Sequence, residues 1–298
     1  MPASLADSQA SEGCEMRSTV AAAIAAVARD LSQAGIERAR VEAETIVRAA
    51  AGLTREHIVL HPETPLSAEQ AALTESLVSR RAAHEPLPYV LGETEFYSLA
   101  FHVSPSAIVP RPETEILAEA AVERARQTHA PTAADIGTGC GCLAVVLARE
   151  LPDARLLAVD ISLDALLLAR RNIQLHRVDD RVLPLCSDLL SAVRRPLDFV
   201  VANLPYIPTP DFDHLQPEVR DFEPRLALNG GADGLGIIRR LCVQLTTHLS
   251  DGGFAALEVG AGQARAAAKL LEQAGLRDIE ILFDYSGIER VVIAWRRG

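Results

Sequence analysis

The chain has 298 residues, 49% of them hydrophobic, and a formal net charge of −11. That length allows one large domain or two smaller ones with ample apolar content for a core. The acidic balance argues against a general nucleic-acid binder, which needs a basic surface, and no apolar run reaches membrane-spanning length.

Residues 1–17 are rich in Ala, Ser and Glu without periodicity and read as a disordered tail. Residues 18–86 read as a small helical domain. Val20, Ile24, Val27 and Leu31 recur at helical spacing towards Gly35, and a second helix carries Val41, Ile46 and Val47 to Gly52. Thr54 caps a short turn, and Ser67-Ala-Glu-Gln70 has capping-box spacing for a helix to about Ala83. Arg80-Arg81 and Arg194-Arg195 read as short solvated basic pairs. Over 87–108 the period changes: Pro88–Leu91 and Glu95–Val103 read as two strands about a turn at Gly92, a β-hairpin linker. Arg111, framed by two prolines just before a helix over 113–127, is held in a direction that suits an anionic group.

From Thr132 strands and helices alternate, and the last two strands lack a helix between them. Residues 109–298 are therefore expected to form an α/β domain with a doubly wound, mainly parallel sheet and one antiparallel strand near its edge. Asp211–Asp221 reads as a flexible loop over a pocket. Cys14, Cys140, Cys142, Cys186 and Cys242 form an odd set without Cys-x-x-Cys spacing, so free thiols in a reducing compartment are expected and no metal site. No signal-peptide core follows Met1, and a cytoplasmic location is expected.

Two stretches carry chemistry. Asp135-Ile-Gly-Thr-Gly-Cys-Gly141 is a strand-to-helix turn whose glycines let backbone approach a ligand, and Asp160 at the next strand end can grip ribose hydroxyls. The spacing is not the Gly-x-Gly-x-x-Gly of dinucleotide sites. Asp135, Asp160 and Asp188 would line one rim, repelling a dinucleotide's phosphates more than the sulfonium and ammonium of S-adenosylmethionine. The second stretch is Phe199–Ala202, a buried strand that stops at Asn203-Leu204-Pro205-Tyr206. Proline ends the ladder there and holds an amide, two carbonyls and an aromatic face at a strand end, where open parallel sheets bind ligands. A plain strand-end turn is the simpler reading of that tetrapeptide alone.

Taken together, Pro88-Tyr-Val-Leu-Gly92, Pro110-Arg-Pro-Glu-Thr-Glu115, Asp135–Gly141, Asp160-Ile-Ser-Leu-Asp-Ala-Leu166, Asn203-Leu-Pro-Tyr-Ile207, Phe222-Glu-Pro-Arg-Leu-Ala-Leu228 and Glu289-Arg-Val-Val292 make the chain resemble the release-factor glutamine N5-methyltransferases. The resemblance runs from about Val20 to the C-terminus. It implies a class I methyltransferase domain, S-adenosylmethionine as donor, and the glutamine of the Gly-Gly-Gln loop of peptide-chain release factors as substrate. It also implies that Gly137, Thr138, Gly139, Cys140, Gly141, Asp160, Asp188 and Leu189, with Asp135 and Asn203, line the cofactor. Asn203, Leu204, Pro205 and Tyr206, with Arg111 nearby, would hold the glutamine. The family usually has Asn-Pro-Pro-Tyr, and Leu204 replaces the first proline here. A monomer without stable nucleic-acid binding is expected. The alternatives are an adenine N6-methyltransferase acting on rRNA or DNA, whose motif Asn-Leu-Pro-Tyr also resembles, and a cofactor-binding module without chemistry.

Overall fold

The structure, a computed structural model, describes residues 19–297. The expected tail and Cys14 lie outside them. The chain forms two compact units divided between Leu91 and Gly92.

The first unit is helical: α1 Val20–Gln33, α2 Ala39–Ala51, α3 Arg55–Leu60, α4 Ala68–Ala82 and α5 Leu87–Leu91. Side chains cap the starts. Thr19 accepts from the Ala22 N–H at 3.3 Å, and Ser67 and Gln70 form a reciprocal capping box on α4. Val20, Val27, Leu31, Ile46 and Val47 are fully buried in one core, each contributing about 1.5–3 kcal/mol by its transfer from water. Two expectations fail here. Leu87–Leu91 is a helical turn and not a strand, because its carbonyls at Tyr89 and Val90 face the Arg80 guanidinium at 3.0 and 3.1 Å. Arg80-Arg81 is correspondingly no solvated pair: Arg80 also pairs with Glu85, and Arg81 is buried against Glu42, both at 2.5 Å.

In the second unit β1 Glu93–Phe96 and β2 Leu99–His102 pair as a hairpin. Its two turn residues, Tyr97 and Ser98, both have positive φ (53° and 57°), the twist that a two-residue connection requires. The Glu115 carboxylate accepts from the Tyr97 N–H at 2.7 Å and ties the turn to the next helix. Then follow α6 Thr114–Ala125, β3 Thr132–Ile136, α7 Cys142–Glu150, β4 Arg155–Asp160, α8 Leu163–Leu175, β5 Val182–Cys186, β6 Leu197–Asn203, β7 Ile207–Pro208, α9 Pro217–Phe222, α10 Arg225–Leu228, β8 Asn229–Gly231, α11 Gly236–His248, β9 Leu249–Glu258, α12 Ala264–Gln273, β10 Arg277–Phe283 and β11 Glu289–Trp295. The segment expected as a flexible loop is a 3-10 turn over Thr209–His214 followed by α9. No helix among the described residues is long and apolar enough to cross a membrane.

The sheet has the order β10-β11-β9-β6-β3-β4-β5, with β11 antiparallel to both its neighbours and the other strands parallel. This is the expected doubly wound fold. Strand alternation divides the core. Phe199 and Val201 face one layer with α6, α7 and α8, while Val200 and Ala202 face the other with α11 and α12. Phe199 stacks on Phe254 of β9 at 5.2 Å, a contact worth about 0.5–1.5 kcal/mol that helps hold these two strands in register. The chain runs outward through β3, β4 and β5, then returns to place β6 on the other side of β3. The carboxyl ends of β3 and β6, with Ile136 level with Ala202, thus flank a topological switch point, the place where such sheets open a crevice.

Candidate active site

The turn after β3 is shaped by close approaches that exclude side chains. Gly137, at φ 75°, lies under Leu204: a Cβ there would stand 3.0 Å from Leu204 Cδ2. Gly141, at φ 83°, packs on Ala169 of α8, where a Cβ would meet Cα at 3.2 Å. Asp135 sits behind this loop, 1% exposed. One of its oxygens accepts from the Thr138 hydroxyl at 2.6 Å and the Ala144 N–H at 3.2 Å; the other is buried without a partner among the described residues. Burial drives its carboxyl up to about 7, opposed by those two hydrogen bonds and reinforced by the nearby Asp160 charge. Asp160 in turn accepts from the Gly139 N–H at 3.0 Å and the Ser162 N–H at 2.9 Å, and burial raises it too.

These ends open onto a cleft of about 930 Å³ including its mouth. Gly137, Gly139, Asp160, Asp188, Leu189, Asn203, Leu204 and Pro205 all line it, with Ile108, Ile136, Val159, Ile161 and Ile237 supplying apolar walls. Asp135, Thr138, Cys140, Gly141, Arg111 and Tyr206 are not among the lining residues. The expected rim of three carboxylates is therefore corrected. Asp135 supports the loop from behind, and Asp188 shares its charge with Arg240 at 2.5 Å. Asp160 is left as the lining carboxylate without a cationic side chain paired to it. A ligand combining an apolar, planar body with positive charge suits this donor set: the charge would relieve two carboxyls that burial holds above their ordinary range.

Leu189 is wedged into the cleft with φ at 53°, a left-handed conformation costly for leucine. The next residue anchors it, since the Leu190 N–H donates to Gln244 Oε1 at 2.8 Å.

At the end of β6, Asn203 Nδ2 donates to Thr114 Oγ1 at 3.0 Å. Asn203 Oδ1 is buried without a partner among the described residues, so the site presents an acceptor that the fold leaves unused. The backbone beyond it is clamped. Gln263 Nε2 donates to the Tyr206 carbonyl at 2.8 Å, and Gln263 Oε1 accepts from the Gly260 N–H at 2.9 Å. The β7–β8 ladder brings a glycine run against the same segment: a Cβ on Gly230 would stand 2.7 Å from the Pro205 carbonyl oxygen. The Tyr206 ring lies beside Gly260, and burial pushes its hydroxyl up.

Arg111 does not stand ready for an anionic ligand, because its guanidinium pairs with Glu223 at 2.6 Å. Glu223 is almost wholly buried, and burial keeps its carboxyl high even beside that charge. The pair ties together the two segments Arg-Pro-Glu-Thr-Glu and Glu-Pro-Arg-Leu-Ala-Leu. Other residues that sequence reasoning passed over also hold the site. Asn172, fully buried in α8, donates from Nδ2 to the carbonyls of Cys140 (2.8 Å) and His102 (2.9 Å) and accepts from the His102 N–H at 2.8 Å. Glu258 ends β9 level with Asn203. The available signal for Glu258 was a lone carboxylate closing an otherwise apolar strand; Asn172 offered none.

Comparison with known proteins follows the same division. Residues 22–92 match the family described as PrmC N-terminal domain, and residues 112–213 match Methyltransferase small domain. A release factor glutamine methyltransferase of Geobacter sulfurreducens is 42% identical over 88% of this chain and 91% of its own. That of Moorella thermoacetica is 41% identical over 94% of this chain and 99% of its own. The solved ribosomal protein L11 methylase of Lactobacillus delbrueckii subsp. bulgaricus shares the fold, with a TM-score of 0.50 and 22% identity over 66% of this chain and 84% of that one.

Proposed function

The chain belongs to the release factor glutamine methyltransferases, and from that premise we propose that it moves a methyl group from S-adenosylmethionine to the side-chain N5 of the glutamine in the Gly-Gly-Gln loop of peptide-chain release factors. The observation that carries the reading is Asn203 Oδ1, a buried acceptor without a partner among the described residues, at the lip of a cleft suited to a cationic, largely apolar cofactor. A release factor is the protein partner; the reading includes a cytoplasmic monomer that forms no stable nucleic-acid complex.

The bound cofactor supplies a methyl already activated by its sulfonium, so the task left to the protein is positioning. Gly137, Gly139, Asp160, Asp188 and Leu189 hold that cofactor, with Asp135 and Thr138 bracing the loop and Cys140 and Gly141 packing it. An amide nitrogen is a poor nucleophile because its lone pair is delocalised into the carbonyl. Asn203 Oδ1 and the Leu204 carbonyl accept its two N–H bonds, which turns the lone pair to the methyl and raises its electron density. Leucine keeps the carbonyl that proline would supply, and its side chain packs on Gly137. Pro205 limits the freedom of this backbone, and Tyr206 offers an aromatic wall next to it. Nitrogen gains the methyl and loses one proton to water, the alkylated amide being acidic enough to need no dedicated base. A carboxylate in the same place would meet two acceptors and have nothing to donate, so glutamine is preferred over glutamate. Arg111 contributes through Glu223 and the segment it holds.

Mass spectrometry of a release factor incubated with this protein and S-adenosylmethionine is expected to find one added methyl on the loop glutamine. A methyl on any other residue, or on rRNA alone, would sink the reading.

Asp135 makes cofactor affinity pH-dependent. With its carboxyl near 7 in the free protein, it must lose a proton to favour a cation, so affinity is expected to weaken as pH falls below about 7, by up to tenfold per unit. Calorimetric titration across that range should show this slope in the wild type and a flatter one in Asp135→Asn; equal slopes would remove Asp135 from the linkage.

A further inference from the structure

We infer that Glu258, acting through the Thr114 hydroxyl, is a positioning residue that fixes the Asn203 side chain with Oδ1 towards the substrate amide. The inference rests on the reading of this site as amide-binding.

An asparagine amide presents an acceptor or a donor according to which way it is turned, and its shape alone does not choose. At Asn203 the choice lies with Thr114, whose Oγ1 accepts from Nδ2 at 3.0 Å. A hydroxyl can accept there only if its own proton points elsewhere. Thr114 is buried in the first turn of α6, and its side chain hydrogen-bonds to Glu258, an interaction that lowers the carboxyl's pKa and so engages its ionised form. A carboxylate has no proton to give, so Thr114 must be the donor and its lone pairs are left for Asn203 Nδ2. Asn203 Oδ1 is then the atom left over, buried and without a partner among the described residues. The register places the three together, for Asn203 of β6 is level with Glu258 of β9.

Glu258 is 1% exposed, and its second oxygen has no partner among the described residues, a costly arrangement for a carboxyl that only packed a strand. Arg290 of β11 and Arg111 favour its charge, Glu113 opposes it, and Tyr206 lies within its field. Arg290 itself is held by Asp284 at 3.1 Å and by the Val259 carbonyl at 3.2 Å, which keeps that positive charge in place. Burial brings Glu258 up to about 7, so above that pH it is the acceptor the arrangement needs.

Three variants test this on a release factor that the wild type methylates, at a pH a unit or more above that value; failure of the wild type would instead overturn the parent reading. Thr114→Val keeps the shape and removes the hydroxyl. It is expected to lower kcat about 10–100-fold, the scale of a misplaced reacting group, with S-adenosylmethionine affinity within about twofold. Thr114→Ser restores the hydroxyl and should recover most of the loss. The decisive readout is selectivity. A release factor with glutamate in place of the loop glutamine is expected to be a poor competitive inhibitor of the wild type. Towards Thr114→Val and Glu258→Gln it should be a better one, because a freed Asn203 can turn its NH2 to the carboxylate. Should the valine variant melt early, Thr114→Ala carries the same expectations. Unchanged selectivity in both variants, or no rescue by serine, would overturn the inference.

Discussion

Asn203→Ala is expected to reduce methyl transfer by on the order of 10²–10³-fold, equivalent to about 2.7–4 kcal/mol of lost transition-state stabilisation, the scale measured when one preorganised polar group is removed from an active site. Two losses combine. The substrate nitrogen forfeits the acceptor Oδ1, and Thr114 Oγ1 forfeits the donor it accepts from at 3.0 Å. Cofactor affinity should change far less, because Gly137, Gly139, Asp160 and Leu189 remain in place along the cleft. Single-turnover kinetics with cofactor saturated would separate the two effects. Turnover near the wild-type rate would remove Asn203 from the chemistry, while a parallel loss of cofactor binding would make it a structural residue of the cleft.

Gly234→Ala is expected to lower both stability and activity although Gly234 touches no reacting atom. Gly234 has φ 75°, and a Cβ there would stand 2.2 Å from the Tyr206 carbonyl oxygen and 2.4 Å from Gln263 Nε2. Backbone strain alone costs an L residue about 1–2 kcal/mol, and the overlap must move either the Tyr206 carbonyl or the glutamine that holds it. A displacement of about 1 Å at Asn203–Tyr206 would cost on the order of 10²-fold in rate. Gly287→Ala is the matched control: its φ is 76°, but nothing lies within 4 Å of the added carbon. The control should lose stability only, by the strain term, and retain turnover. Equal activity of the two variants would mean that the glycine run does not hold the motif.

Much of the fold was legible from local signals. Ser67 to Gln70 announced a helix start, β-branched runs announced strands, and the missing helix before Arg290 announced an antiparallel neighbour. Where reading failed, a tertiary contact had outweighed local pattern. Leu87–Leu91 has strand-like residues but its carbonyls meet the Arg80 guanidinium. Arg81 looks like a surface charge until Glu42, far off in sequence, buries it. Arg111 was placed correctly as a fixed guanidinium, but its counter-charge, Glu223, lies 112 residues away, a separation that no local pattern reveals.

By itself the sequence determined the alternation of strands and helices, the glycine turn after Asp135, and the strand that stops at Asn203, because each depends on residues within a few positions of one another. Only the tertiary structure decided which of those residues face the cleft. It put Asp135 behind the loop, paired Asp188 with Arg240, and set Glu258 level with Asn203. The physical reason is that side-chain charge and amide orientation answer to burial and to partners brought in by strand register. The tetrapeptide Asn203–Tyr206 supplies an amide; Thr114 and Glu258 decide which end of it the substrate meets.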